Sequence, residues 1–195
     1  MTLTKDEIEI SSHIKQIMNL LGVKWDDSTN DTPHRVAKMY SRELFCGLNP
    51  ETYPKVTTVQ NDFNYDQMIL VNDIKIHSLC EHHLVPFLGT ASIAYFPDEK
   101  ILGLSKFNRI SDYYSRRPQI QERLTMQIHS DIAEKLETAD VAVLIRAEHL
   151  CVKLRGIKDQ NSSTVTSMLT GVFRTQPEVR LEFLSLAGGG NAVSK

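Results

Sequence analysis

The sequence predicts an α+β fold, and three observations carry that prediction. Apolar residues recur at every fourth position from Ile120 to Leu136, which marks a long amphipathic helix. Two strand-like runs precede that helix and two follow it. Neighbouring runs are placed to form hairpins, so the strands pair antiparallel and the helices between them cover one sheet face.

Taken in order, Thr4-Lys5-Asp6-Glu7 has the form of a capping box, and Ile8, Ile14, Ile17, Met18 and Leu21 follow at roughly helical spacing. Gly22 suits the stop of that helix, and Trp25 to Asp31 is polar and turn-like. A second helix starts at Thr32-Pro33, with Thr32 as the cap and Pro33 in the first turn. Val36, Met39, Tyr40 and Leu44 form its apolar stripe, while Arg35 and Lys38 read as solvated charges. Gly47 to Pro54 is a turn-rich connection.

The first strand runs from Met68 through Val71, Ile74 and Ile76, and the second from Leu88 to Phe96, where Pro97-Asp98 ends it. Lys106 to Arg117 reads as a short helix, and Pro118 is expected to open the long one. Val141 to Lys153 reads as a third strand and Ser163 to Phe173 as a fourth. Pro177 to Leu186 fits either a helix or an extended segment, and the end with Gly188-Gly189-Gly190 is expected to be a mobile tail.

Composition sets bounds on function. With 195 residues, 41% hydrophobic and 24% charged, the chain can bury its own core. A formal net charge of -2 gives no global basic field for nucleic acid. No apolar run is long enough to span a membrane, and the first residues lack the apolar core of a secretory signal. Cys46, Cys80 and Cys151 are too few for a disulfide framework, so a reducing cytoplasm is the expected setting. In that setting clustered Cys and His point to metal binding or catalysis.

Such a cluster exists. Cys80-Glu81-His82-His83 follows the first strand, and His149-Leu150-Cys151 ends the third. Thiolates and imidazoles are zinc donors, and soft sulfur disfavours magnesium. On a strand His149 and Cys151 would share one face. Only two thiols are well placed, whereas structural zinc sites commonly carry four protein ligands. Three ligands and one open position for water is the catalytic arrangement. Packing alone does not explain His82, His83 and His149 so close to the thiols. Cys46 reads as packing, His13, His34 and His129 as ordinary helix residues, and His77 is left unassigned.

These motifs carry a specific likeness. Cys80-Glu81-His82-His83, Gly103 to Arg109, Arg117 to Leu124 and His149 to Gly156 resemble the GTP cyclohydrolase I family in identity, order and spacing. Asp31 to Tyr40 and Ser162 to Phe173 extend the resemblance, which runs from about Glu7 to Ala187. It implies a tunnelling fold: an antiparallel four-stranded sheet with a helix pair on one face, N-terminal helices, and sheets joined into a barrel across subunits. It also implies a homodecamer of two pentamers with active sites at subunit interfaces. In these terms residues 1–60 form an N-terminal helical region, 61–187 the catalytic domain and 188–195 a flexible tail.

The implied reaction opens the imidazole ring of GTP with water, releases formate and forms 7,8-dihydroneopterin triphosphate, the first step of tetrahydrofolate and pterin synthesis. The implied cofactor is zinc (Zn2+), held by Cys80, His83 and Cys151. Spacing alone leaves His82 and His83 open as the ligand, and the resemblance selects His83. His82 and His149 match the acid–base histidines. Glu122 matches the guanine anchor, with Gln121 assisting. Ser105, Lys106, Arg109 and Arg155 match the triphosphate-binding residues. No Gly-x-x-x-x-Gly-Lys-[Ser/Thr] loop is present, so P-loop binding is excluded. Three rival readings are a structural metal module, a nitrile reductase of the same fold, and a catalytically silent homologue.

Overall fold

The computed structural model describes residues 2–188. Helix α1 (Lys5–Leu20) begins with the expected capping box: Thr4 Oγ1 accepts the Glu7 N–H at 3.2 Å, and Glu7 accepts the Thr4 N–H at 2.9 Å. Helix α2 (Thr32–Met39) differs at its start, because Asp31 and not Thr32 is the cap residue. The Asp31 backbone is already close to helical, and its carboxylate goes to Arg35 and His34 and not to a backbone N–H. A wider π turn, Tyr40–Leu44, prolongs α2, and short 3-10 turns at Cys46–Leu48 and Pro50–Thr52 lead to the sheet.

Glu7 ties these helices together. It is nearly buried, receives the Ser41 hydroxyl at 2.7 Å, and takes both Nε and Nη2 of Arg42. The Arg42 hydrogen bonds hold its carboxyl down at about 2 against an ordinary 4.5. Because the folded value is depressed, the tie is complete above the ordinary value and is lost as pH falls from about 4.5 toward 2. Glu7→Gln should therefore speed hydrogen exchange along α1 at neutral pH. The parent should lose the same protection in acid before its sheet does.

The strands are β1 (Thr58–Gln60), β2 (Ile69–Cys80), β3 (Pro86–Tyr95) and β4 (Lys100–Leu102). Helix α3 (Leu104–Ser115), β5 (Pro118–Gln119) and helix α4 (Gln121–Leu136) follow. The chain continues as β6 (Val141–His149), α5 (Leu150–Lys153), β7 (Thr164–Leu169), α6 (Val172–Thr175) and α7 (Pro177–Gly188). The main sheet has the order β5-β2-β3-β6-β7, while β1 and β4 form a separate ribbon. Its four long strands are antiparallel in consecutive order, and only β5 pairs parallel, beside the end of β2.

Three boundaries depart from the sequence reading. Pro118 does not open the long helix: with Gln119 it is held extended against Leu79 and Cys80, and α4 starts after Ile120. The third strand stops at His149, and Leu150 to Lys153 is one helical turn. The fourth strand is shorter than expected, and Val172–Thr175 is helical. The segment left open at Pro177 is helix α7. The predicted tail, 188–195, lies outside the described residues except for Gly188, which ends α7.

Strand alternation gives the sheet two faces. Ile74 and Ile76, with Phe87, Ala91 and Ile93, and Val143 and Ile145, meet Phe107 and Ile110 of α3 and the Leu124-Ile128-Ile132-Leu136 stripe of α4. On the other face Ala94 and Ala142 pack under Phe173 and Phe183 of α6 and α7. The rungs Lys75–Thr90–Arg146 and His77–Leu88–Glu148 are left exposed there. A Cβ at Gly89 would lie 2.0 Å from Arg146 O, so glycine lets β3 approach β6 at this point. Among the described residues no helix is long and apolar enough to cross a membrane.

Candidate metal centre and substrate cleft

The centre forms where β2 ends. Cys80 N donates to Val85 O at 3.0 Å and Leu84 N to Cys80 O at 2.8 Å, which closes a tight reversal through Glu81, His82 and His83. Leu84 adopts φ +51, a left-handed conformation that costs a β-carbon residue about 1 kcal/mol. Two contacts pin the reversal from outside. Glu81 N donates to Gln119 O at 2.9 Å, so the short β5 supports it. Arg123 of α4 grips the Glu81 carboxylate with Nη1 at 2.6 Å and Nη2 at 3.2 Å, which lowers the Glu81 pKa.

Cys151 reaches the same place from the other side of the sheet connection. The expectation that His149 and Cys151 share a strand face fails, because the strand ends between them. The helical turn of α5 brings Cys151 to Cys80 and His83, and one donor atom from each of the three lies within 4.8 Å of the others. All three cysteines are free thiols. Burial, and then the neighbouring Cys80 sulfur, push the Cys151 thiol up. A metal ion held by these residues would reverse that preference, since metals bind the thiolate form.

Other predicted residues ring this point. His82 Nδ1 lies 3.7 Å from Cys80 Sγ. Arg155 Nη1 donates to His83 Nε2 at 3.0 Å. The His149 ring stacks on Phe87, with centroids 4.8 Å apart and 14° between planes, and its Nε2 meets Gln121 Oε1 at 2.8 Å. Burial lowers the His149 pKa, and the Glu122 carboxylate partly offsets this, so Glu122 acts on the same pocket. Glu122 is exposed in the first turn of α4, where the helix N-terminus favours negative charge.

Ser105, Lys106 and Arg109 are elsewhere. Leu102, just before α3, donates its N–H to Tyr95 Oη, and Tyr95 pairs with Ile69 at the opposite end of β2 from Cys80. From there α3 runs back along β2 until Ser115 O accepts the Ser78 hydroxyl at 2.7 Å, so at about 1.5 Å per residue Arg109 and Lys106 lie ~9 and ~14 Å along the helix from that contact. Lys106 Nζ instead donates to Lys55 O at 3.0 Å, and Arg109 lines a small groove with Cys46, Thr52 and Asp112. Lys153, unassigned from sequence, pairs with Glu148 at 2.7 Å.

The Glu81–Arg123 clamp and the Phe87 stack were not found by sequence reasoning. Arg123 beside Glu122 looks like any solvated helix charge, and Phe87 like any core aromatic. No sequence signal separates them.

Comparison with known proteins places this geometry among relatives. The GTP cyclohydrolase I family model matches residues 10–188. The chain is 51% identical over 178 residues to GTP cyclohydrolase 1 of Aeromonas hydrophila subsp. hydrophila, covering 91% of this chain and 82% of that protein. It is 51% identical over 182 residues to GTP cyclohydrolase 1 of a Shewanella species, covering 93% and 83%. It is 48% identical over 189 residues to GTP cyclohydrolase 1 of Haemophilus ducreyi, covering 94% and 87%. Among solved structures, the apo archaeosine synthase QueF-Like aligns with TM-score 0.45 and 14% identity over 53% of this chain and 93% of that one, too weak a likeness to argue from.

Proposed function

The chain belongs to the GTP cyclohydrolase I family of enzymes, and from that premise we propose that it opens the guanine imidazole ring of GTP, releases C8 as formate and forms 7,8-dihydroneopterin triphosphate. The observation that carries this reading is the convergence of Cys80, His83 and Cys151 on one point. Two sulfurs and one imidazole suit zinc, and three protein ligands is the number that catalytic zinc sites carry. Cys80, His83 and Cys151 would hold the ion, and zinc there would supply the acidity that makes water a nucleophile near neutral pH.

The chain's own residues do the rest. Glu122 accepts two parallel hydrogen bonds from guanine N1–H and the 2-amino group, a donor pair that adenine lacks. His82 and His149 deliver protons to N7 and N9 and remove them from the hydrated ring, as imidazoles working near their pKa can. Arg155, beside His83, holds the triphosphate together with Ser105, Lys106 and Arg109.

Lys106 is engaged with Lys55 and Arg109 lines the groove with Cys46, away from the three metal donors, which supports a reading in which Ser105, Lys106 and Arg109 come from a second copy of the chain and complete the site between subunits. That fits a tunnelling-fold barrel closed across subunits and a decamer of two pentamers. In this reading residues 61–187 are the catalytic domain, 1–60 its helical N-terminal region, and the cytoplasm its compartment, where free thiols persist.

Purified protein mixed with GTP should release formate and, after oxidation, give a fluorescent pterin, and a chelator should abolish both. Formate release that survives complete metal removal would overturn the metal reading. A fully metal-loaded protein without turnover would favour the structural module or the silent homologue.

A further inference from the structure

We propose that Gln121 is a positioning residue that fixes the tautomer of His149, with the proton on Nε2 and Nδ1 left as the basic atom of the ring. This rests on the reading of His149 as a proton carrier, and it moves Gln121 from the guanine contact expected from sequence to a place behind the histidine.

The orientation of the Gln121 amide follows from its neighbours. One end faces the backbone carbonyls of Ile145 and Thr164, each at 3.1 Å. Carbonyl oxygens only accept, so that end is the NH2 group. Thr166 Oγ1, at 3.0 Å, completes its surroundings. The hydroxyl protons there are already directed. Thr125 Oγ1 donates to Gln121 O at 2.8 Å, so at 2.7 Å Thr166 donates to Thr125 and keeps its lone pairs for Gln121.

The other end of the amide is therefore oxygen, and it lies 2.8 Å from His149 Nε2. An amide oxygen cannot donate, so Nε2 must. The stack on Phe87 holds the ring plane and opposes a flip. Among the described residues Nδ1 has no hydrogen-bond partner. Gln121 is 1% exposed with both ends of its amide engaged, so contact with substrate would cost it these bonds. A histidine that must take up a proton at one nitrogen loses efficiency when it exchanges between tautomers.

The test uses the zinc-loaded protein labelled with 15N-histidine, the His149 signals being those missing in His149→Asn. The parent should show a protonated, hydrogen-bonded Nε2 and a bare Nδ1. In Gln121→Met the ring should populate both tautomers. There kcat should fall on the order of 10- to 100-fold while KM for GTP stays within about twofold. Thr166→Val loosens the same corner without removing the acceptor, so it should lower the melting temperature and leave the His149 signals as in the parent. A parent His149 protonated on Nδ1 would overturn the proposal even if Gln121→Met fails to fold. An unchanged tautomer in Gln121→Met, or a rise in KM with kcat intact, would also overturn it. Full activity in His149→Asn would instead remove the proton-carrier reading beneath it.

Discussion

Cys151→Ala is expected to fold as the parent does, to hold no zinc after dialysis, and to release formate more than about 1,000-fold more slowly. The expectation has two parts. Cys151 is partly exposed on the one-turn helix α5 and touches the main core only at its margin, so removing its sulfur creates little cavity. Its chemical cost is large, because only two thiols reach the site and no third cysteine can replace one. Cys46, the remaining thiol, lies in the groove with Arg109, Tyr113 and Arg116 and is not one of the donors that converge. With one sulfur and one imidazole the site loses its preference for a soft cation, and the water that zinc would acidify returns to an ordinary pKa. Metal content, circular dichroism and formate release separate these effects. Zinc retained at the parent level together with normal formate would remove Cys151 from the site.

The second large effect is expected at Glu122. Glu122→Ala should keep its zinc and its fold, since the side chain is exposed and caps nothing. Two charge-assisted hydrogen bonds at about 1.5–3 kcal/mol each correspond to a loss of roughly 10²–10⁴-fold in kcat/KM for GTP. Discrimination against ATP should narrow at the same time, because the unsatisfied carboxylate that rejects adenine is gone. Steady-state kinetics with both nucleotides check this. An unchanged ratio of the two kcat/KM values would take the guanine anchor away from Glu122.

How far the fold can be read from the chain depends on where local and tertiary preferences agree. The α4 stripe and the runs around Ile74, Ile93 and Val143 point the same way at both levels, and they form the core that was expected. Leu150, Cys151 and Val152 continue the apolar run of β6 with no Gly or Pro to break it, so nothing local announces the turn at its end. The strand ends there because His149, beside Phe87, is the last residue to find a partner on β3. Pro118 reads as a helix opener, but the edge of β2 beside Leu79 and Cys80 offers it an extended place first. Thr32 and Asp31 are both good caps, and the backbone at Asp31 decides between them.

The site was legible in its donor types and less so in its geometry. Sulfur and imidazole in short-range order suggest a metal before any fold is known. Their convergence depends on β2 and β6 lying either side of β3, which is a property of the sheet order and not of any motif. The placement of Ser105, Lys106 and Arg109 on α3, apart from the three converging donors, follows from how α3 packs on the sheet. No local pattern reveals it.

The most direct test of the central claim is X-ray absorption at the zinc edge of the metal-loaded protein. The account predicts two sulfur neighbours at about 2.3 Å, one imidazole nitrogen, and one further light atom at about 2.0–2.1 Å that is solvent. A shell with a single sulfur, or with a second imidazole from His82 or His149 in place of solvent, would contradict it.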